Sequence, residues 1–303
     1  MYVCVKCGKH WNDNDADQNE YCCTRKCGGT LTPKESEPEL CGDLIDRVPF
    51  PIAYPWSKSL NASLHPVQRL NNLIFTAYQA MRLTGLLLLS DYLESDGNCL
   101  SLGRPLSKMR MPHWGEWKTL TDSLARYIAG RNDKYKPLST PVFLKLAEAW
   151  MGLGKAWEKD ARFALFAEGK KPPPPMEIFQ NLRNDRAHRQ GVQDEQGNEA
   201  EVLEKHLPLL QFTLEELSGS HAPKLFRLPI TDSAGVETIR STLMDPLADK
   251  IPLISLHGVH EDFHFEVEEL NLGDSLREVL LKSSLAARLE GRCLPIYPFF
   301  LAL

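Results

Sequence analysis

Residues 63–93 read SLHPVQRLNNLIFTAYQAMRLTGLLLLSDYL. Leu70, Leu73, Ile74, Ala77, Tyr78 and Met81 recur at three- and four-residue spacing, the period of an amphipathic helix. Ser63 offers an N-cap, and Pro66 suits a first turn, where its missing N–H has no partner to lose. The pattern runs on through Leu86–Leu89 to Tyr92 and Leu93 and should stop by Gly97. So long an apolar helix is expected at the centre of a helical bundle.

Other segments supply the rest of that bundle. After a loop with Gly97, Gly103 and Pro105, Trp114, Trp117, Leu120, Leu124, Tyr127 and Ile128 mark a second helix closed by Gly130. Thr140 with Pro141 opens a third, carrying Phe143, Leu144, Leu146, Ala147, Trp150, Met151 and Trp157 and running to about Phe166. Tryptophans at helical spacing read as core and not as a base-stacking platform. The prolines 172–175 stop that helix, and the next starts at about Met176 with Ile178, Phe179 and Leu182 as its apolar stripe. Asn198 and Glu201 suggest a capping box for the last helix. Leu203, Leu207, Leu210, Leu214 and Leu217 then form a seam for a bundle or dimer partner, with a kink expected at Pro208.

The chain has 303 residues, 43% of them hydrophobic and 25% charged, with a net charge of -5. That length fits two or three cores, and the composition fits a globular protein. A net negative chain excludes a whole-molecule basic field, so any nucleic-acid contact must rest on a local patch. The apolar cluster Leu86–Leu89 is short for a membrane span, and the N-terminus has no room for a secretion signal before its first cysteine. A cytoplasmic protein without a membrane partner is expected.

Five of the eight cysteines fall between positions 4 and 27. Cys4-Val5-Lys6-Cys7-Gly8 is a knuckle that presents two thiolates to one ion, and Cys22-Cys23-Thr24-Arg25-Lys26-Cys27-Gly28-Gly29 supplies a second. This is the pattern of a zinc ribbon over residues 1–34, with Cys4, Cys7, Cys23 and Cys27 as ligands. Cys22 competes with Cys23 for the third position, and His10 is a less favoured substitute. Four thiolates close a tetrahedron and leave no open position, so the Zn2+ is expected to be structural. Lys6, Lys9, Arg25 and Lys26 would help the ribbon to contact nucleic acid or protein.

Residues 35–60, rich in proline and acidic residues, read as a linker, and 61–218 as the bundle. Over 219–303 the runs Leu225–Ile230, Ile251–Leu256 and Phe263–Val267 indicate a small α+β or β-rich region, with one helix near Ser275–Leu289. The end, Leu294 to Leu303, is apolar enough to need cover from its own domain, from a protein partner or from further chain. His257, His260 and His264 are spaced too irregularly for a metal site and read as turn and strand residues.

The chemistry-bearing stretch is Leu182-Arg183-Asn184-Asp185-Arg186-Ala187-His188. It combines a permanent cation, a polar orienter and a group that titrates near neutrality. Arg183-Asn184-x-x-x-His188 resembles the HEPN superfamily, named for higher eukaryotes and prokaryotes nucleotide-binding, whose motif is Arg, a polar residue, then His after four to six others. The resemblance implies a bundle of four or five helices that dimerises to bring two motifs together, and cleavage of RNA without metal. His188 would be the general acid/base, Arg183 would stabilise the phosphorane, and Asn184 would orient the phosphate or His188. Arg186 and Arg189 would add phosphate-binding charge.

Positions five apart on an unbroken helix are separated by about 140°, so Arg183 and His188 can converge only at a helix end or across two subunits. The expectation is a mainly α protein: zinc ribbon, HEPN-like bundle and small C-terminal α+β region. Its function would be that of an endoribonuclease in a prokaryotic toxin or antiviral-defence system. The alternative is a non-catalytic interaction or sensing module that docks onto a partner protein through the ribbon or the apolar C-terminus.

Overall fold

The chain divides into two units, Met1–Asp43 and Leu44–Leu303. The computed structural model describes residues 2–4, 10–11, 31–33, 42–95, 100–110, 112–130, 142–158, 163, 166, 173–189, 199–219, 222–229, 233–260 and 264–296. In the first unit, β1 (Tyr2–Cys4), β2 (His10–Trp11) and β3 (Leu31–Pro33) form an antiparallel sheet in the order β2-β1-β3. Tyr2 faces Trp11 on one side and Pro33 on the other, and Cys4 faces Leu31.

The segment expected as a linker is helical beyond residue 41. Helix α1 (Gly42–Arg47) is followed by α2 (Phe50–Leu60), in which Phe50, Ile52, Ala53 and Trp56 are buried. Pro51 lies in the first turn of α2, where no backbone donor is lost, and Pro55 lies one turn further on. Burial of four large or well-packed apolar side chains on one face outweighs the hydrogen bond that Pro55 removes.

Helix α3 (Pro66–Glu94) is the expected central element. Its cap is His65, whose Nδ1 accepts from the Val67 N–H at 3.3 Å, and not Ser63, which bonds the side chain of Asn61 in the preceding turn. An 18-residue window of α3 has a mean hydropathy of 1.3, enough on average for a membrane helix, but 78% of that window is buried inside the protein. Packing around it explains its composition.

Helix α4 (Leu100–Ser107) and a 3-10 turn (Lys108–Arg110) occupy the expected Gly103/Pro105 loop, with Leu102 buried beneath them. Then come α5 (Trp114–Ala129), α6 (Leu144–Glu158), α7 (Pro175–Arg189) and α8 (Glu199–Leu217). Helices α2, α5 and α8 pack directly on α3, and α6 and α7 also touch it. Trp114, Trp117 and Trp150 are buried, in the core role expected of them. Gly85 of α3 lets α5 approach so closely that a Cβ there would lie 2.5 Å from Thr121 Oγ1. Thr140, Pro141 and Asn198, expected at helix starts, lie outside the described residues.

The C-terminal part is a five-stranded antiparallel sheet in the order β6-β5-β4-β7-β8, built from β4 (Lys224–Arg227), β5 (Lys250–Ser255), β6 (Val267–Asn271), β7 (Leu285–Leu289) and β8 (Arg292–Pro295). Two helices accompany it, α9 (Ser233–Met244) and α10 (Asp274–Lys282). Phe226, Leu243, Ile251, Leu253, Leu276, Val279 and Ala286 share one core. The helix expected over Ser275–Leu289 therefore ends at Lys282, and its second half is strand β7. The strand expected at Phe263–Val267 begins only at Val267.

The fold class is mainly α with this small C-terminal sheet. Bundle and sheet belong to the same unit, joined where α3 meets β8, where Lys145 pairs with Glu290 at 2.9 Å and where Lys282 reaches Glu94 at 3.5 Å.

Candidate functional site

Helix α7 starts from its proline run: the Pro174 carbonyl accepts from the N–H groups of Glu177 and Ile178, at 2.9 and 3.2 Å. Met176, Ile178 and Phe179 are buried and anchor the helix against α3, α5, α6 and α8. Beyond Phe179 the burial weakens. Leu182 is half-buried, Arg183 exposed, Asn184 half-buried, Asp185 exposed, Arg186 half-buried and Ala187 exposed.

The Arg183 Nη1 donates to the Asn184 Oδ1 at 3.1 Å. The carboxamide oxygen of Asn184, a residue expected to orient the phosphate or His188, steadies the guanidinium. His188 lies on the same helix, one residue before its end, and its side chain lies outside the described residues. Because α7 is unbroken from Pro175 to Arg189, the positions of Arg183 and His188 are about 140° apart around one axis. A single copy brings Arg183 and Asn184 together, and it places positions 184 and 188, four apart, on one face of the helix, but it keeps Arg183 off that face.

The leucine seam of α8 is filled from inside the chain. Leu203, Leu209, Leu210, Leu214 and Leu217 are buried, and His206, not Leu207, takes the buried place between the first and second of them. The His206 Nδ1–H donates to the Val202 carbonyl at 2.6 Å, and the ring stands edge-on to Phe166 at 5.2 Å and 6.3 Å from Phe179 of α7. Burial holds its pKa below the usual imidazole value, and Lys205 acts in the same direction against the Val202 bond. The seam had hidden this residue, since a histidine one place off a leucine repeat carries no signal of its own.

Of the expected zinc ligands, Cys4 ends strand β1, while Cys7, Cys23, Cys27 and the competing Cys22 lie outside the described residues. Among the described residues no three His, Cys, Asp or Glu side chains converge as a metal site. His257, in an isolated bridge, and His260 make backbone hydrogen bonds, and His264 is exposed; none of the three lies in a named strand.

Comparisons with protein-family models, with curated proteins and with solved structures return no match.

Proposed function

We propose that the chain is an HEPN-like, metal-independent endoribonuclease of a toxin or antiviral-defence system, acting as a pair of copies. The observation that carries the reading is the exposed Arg183 bonded to the half-buried Asn184 on the last turns of α7, five and four positions before His188 on the same helix. The guanidinium, fixed by the carboxamide, offers N–H donors to a phosphate, and Arg186 adds a second cation one turn away.

In RNA the 2′-hydroxyl is an internal nucleophile, so the chain need supply only proton transfer and charge stabilisation. His188 takes the 2′ proton as the P–O2′ bond forms; the P–O5′ bond breaks, and the 5′-oxygen receives a proton from His188 of a second copy. Arg183 holds the phosphorane charge. The products are a 2′,3′-cyclic phosphate and a 5′-hydroxyl, and DNA is spared.

The unbroken course of α7 is why this reading includes a second copy, and because the α8 seam is filled within the chain, the reading takes another face for the contact between copies. The same unbroken helix favours the second reading, a binding module in which the Arg183 face docks onto a partner protein and no bond is broken.

The first unit we assign as a zinc ribbon, with Cys4, Cys7, Cys27 and either Cys23 or Cys22 as thiolate ligands. A small antiparallel sheet with Cys4 at the end of β1 suits it, and four thiolates suit a structural ion. The ion would fold a segment too short to stabilise itself.

The deciding experiment incubates labelled RNA with wild type, Arg183→Ala and His188→Ala in EDTA, with zinc content measured in parallel. Cleavage by wild type, lost in both variants at unchanged zinc content, establishes the enzyme. Equal cleavage by all three assigns the activity elsewhere, and a dimer that binds but never cuts RNA assigns the chain to the binding class.

A further inference from the structure

His257 sits where the start of the second unit meets the C-terminal sheet, and both of its ring nitrogens are engaged by backbone. Its Nδ1 is 3.1 Å from the Arg47 carbonyl oxygen, and its Nε2 is 2.9 Å from the Leu225 nitrogen. A carbonyl only accepts and an amide N–H only donates, so Nδ1 carries the proton and Nε2 is bare. The ring is therefore specified as neutral by its two partners.

The main chain around the ring depends on the same junction. Pro49 and His257 form an isolated antiparallel bridge. The Gly258 N–H donates to the Val48 carbonyl at 3.1 Å, the Phe50 N–H to Leu256 at 2.7 Å, and the Leu256 N–H to Leu225 at 3.0 Å. Gly258 has a φ of 75°, a conformation that favours glycine, and the Asp46 carboxylate lies within van der Waals distance, 3.4 Å, of where a Cβ would be. The His260 Nε2–H donates to the His257 carbonyl at 2.6 Å and closes the turn.

The charged groups that act on the ring are Lys224 of β4 and Glu268 of β6; Arg47 of α1 meets it through its carbonyl, Asp46 of α1 and His260 lie beside the adjoining Gly258, and Arg227 of β4 lies over Phe265. Burial holds the His257 pKa below the ordinary imidazole value; the Arg47 bond and Glu268 oppose that, and Lys224 assists it. A proton added at Nε2 would point at the Leu225 N–H, replacing the only acceptor in that bond by a second donor. Val48 and Pro49, which the junction holds down, also wall a small apolar cleft with Ile52, Leu83, Leu217 and Pro223.

We propose that His257 is an acid-released latch. Neutral, it ties Arg47 to Leu225; protonated, it keeps Arg47 but lets Leu225 go, and the junction of Arg47–Phe50 with Leu256–Gly258, held to β4 through that bond, loosens and uncovers the apolar cleft behind Pro49. The latch is independent of the Arg183–His188 reading and stands or falls on its own amides.

Amide hydrogen exchange of the full chain, followed at about pH 7.5 and about pH 5 and corrected for the intrinsic pH dependence of exchange, tests it. Protection at Phe50, Leu225 and Gly258 should fall about tenfold at the lower pH, with Leu124 in α5 changing less than about twofold. His257→Gln keeps an acceptor towards Leu225 and cannot titrate, so its protection at the three amides should not follow pH. The ring nitrogen shifts of wild type should report the Nδ1–H tautomer at neutral pH and titrate together with the loss of protection, which carries the test if the variant does not fold. Unchanged wild-type protection, the same acid loss in His257→Gln, or an Nε2–H tautomer at neutral pH each overturns the latch.

Discussion

The carboxylate of Asp91, buried near the end of α3, accepts the backbone N–H of Phe143 through Oδ2 and that of Val142 through Oδ1, both at 3.1 Å. These donors precede α6, so a side chain from fifty-odd residues earlier does what a local N-cap usually does. One interaction fixes both the start of α6 and its position against the central helix.

Asp91→Ala should therefore cost roughly 2–4 kcal/mol, the loss of two charge-assisted hydrogen bonds at a buried site. Asp91→Asn, which keeps one oxygen acceptor, should cost clearly less. Urea unfolding of the three proteins checks the order, and an alanine variant as stable as wild type would show that water or another group replaces the cap.

Gly85→Ala sets two effects against each other. Alanine gains about 1 kcal/mol of helix propensity, but its Cβ would come 2.5 Å from Thr121 Oγ1 and 3.3 Å from Trp117 Cε3. Overpacking of about 1–3 kcal/mol wins, because both neighbours are buried between α3 and α5. Adding Thr121→Ala should recover much of the loss, and a double-mutant cycle without coupling would refute the contact.

Arg277 of α10 holds the C-terminus of α9. Its Nη1 donates to the carbonyls of Leu243 at 2.5 Å, Asp245 at 2.6 Å and Thr242 at 3.2 Å, and its Nη2 to Ala248 at 2.7 Å. A planar fork reaches several carbonyls at and just beyond the helix end at once, and an ammonium cannot span them. Arg277→Lys should lose most of the roughly 1.5–3 kcal/mol expected for Arg277→Ala. Parity between lysine and wild type would reduce the guanidinium to a point charge.

Acid should weaken the fold through His206 and His257. Both have pKa values held below the imidazole norm, first of all by burial, so the unfolded chain binds protons there more readily than the folded one. Their stabilising effect is complete above the unfolded value of about 6.5 and declines as pH falls below it, by at most about 1.4 kcal/mol per pH unit for each group. His206→Phe keeps a ring against Phe166 and Phe179 and should flatten the slope of unfolding free energy between about pH 5 and 6.5. A slope as steep as in wild type would place the acid sensitivity in other groups.

What the sequence disclosed follows from which interactions are local. Helix α3 and the buried tryptophans were legible because their period reports the face that meets the core. Helices α1, α2 and α4 were not, since Pro51, Pro55 and Pro105 read as breakers while tertiary burial of Trp56 and Leu102 decides the matter. Strand β7 is the clearest override. Leu285-Ala286-Ala287-Arg288-Leu289 is composed of helix formers, yet it lies between β4 and β8, and Glu290 and Gly291, with φ of 50° and 79°, turn it into a hairpin. The motif was located correctly on a helix, but its inner contact depended on rotamers that spacing does not encode.

That contact yields the last prediction. The Asn184 oxygen and the Arg183 guanidinium are adjacent and largely solvent-facing, so their bond contributes little to stability, and Asn184→Ala should unfold within about 0.5 kcal/mol of wild type. If Asn184 serves to hold Arg183 for a phosphate, the same variant should lower RNA cleavage about tenfold, chiefly in kcat. Asn184→Asp keeps the acceptor and pairs with Arg183 more strongly, but its charge opposes the incoming phosphate, so it should bind RNA less well than the alanine variant. Stability, cleavage and affinity then rank the three proteins in different orders. A role confined to the surface would leave all three measurements alike, and a role in orienting His188 would make the aspartate variant lose its pH profile before it lost affinity.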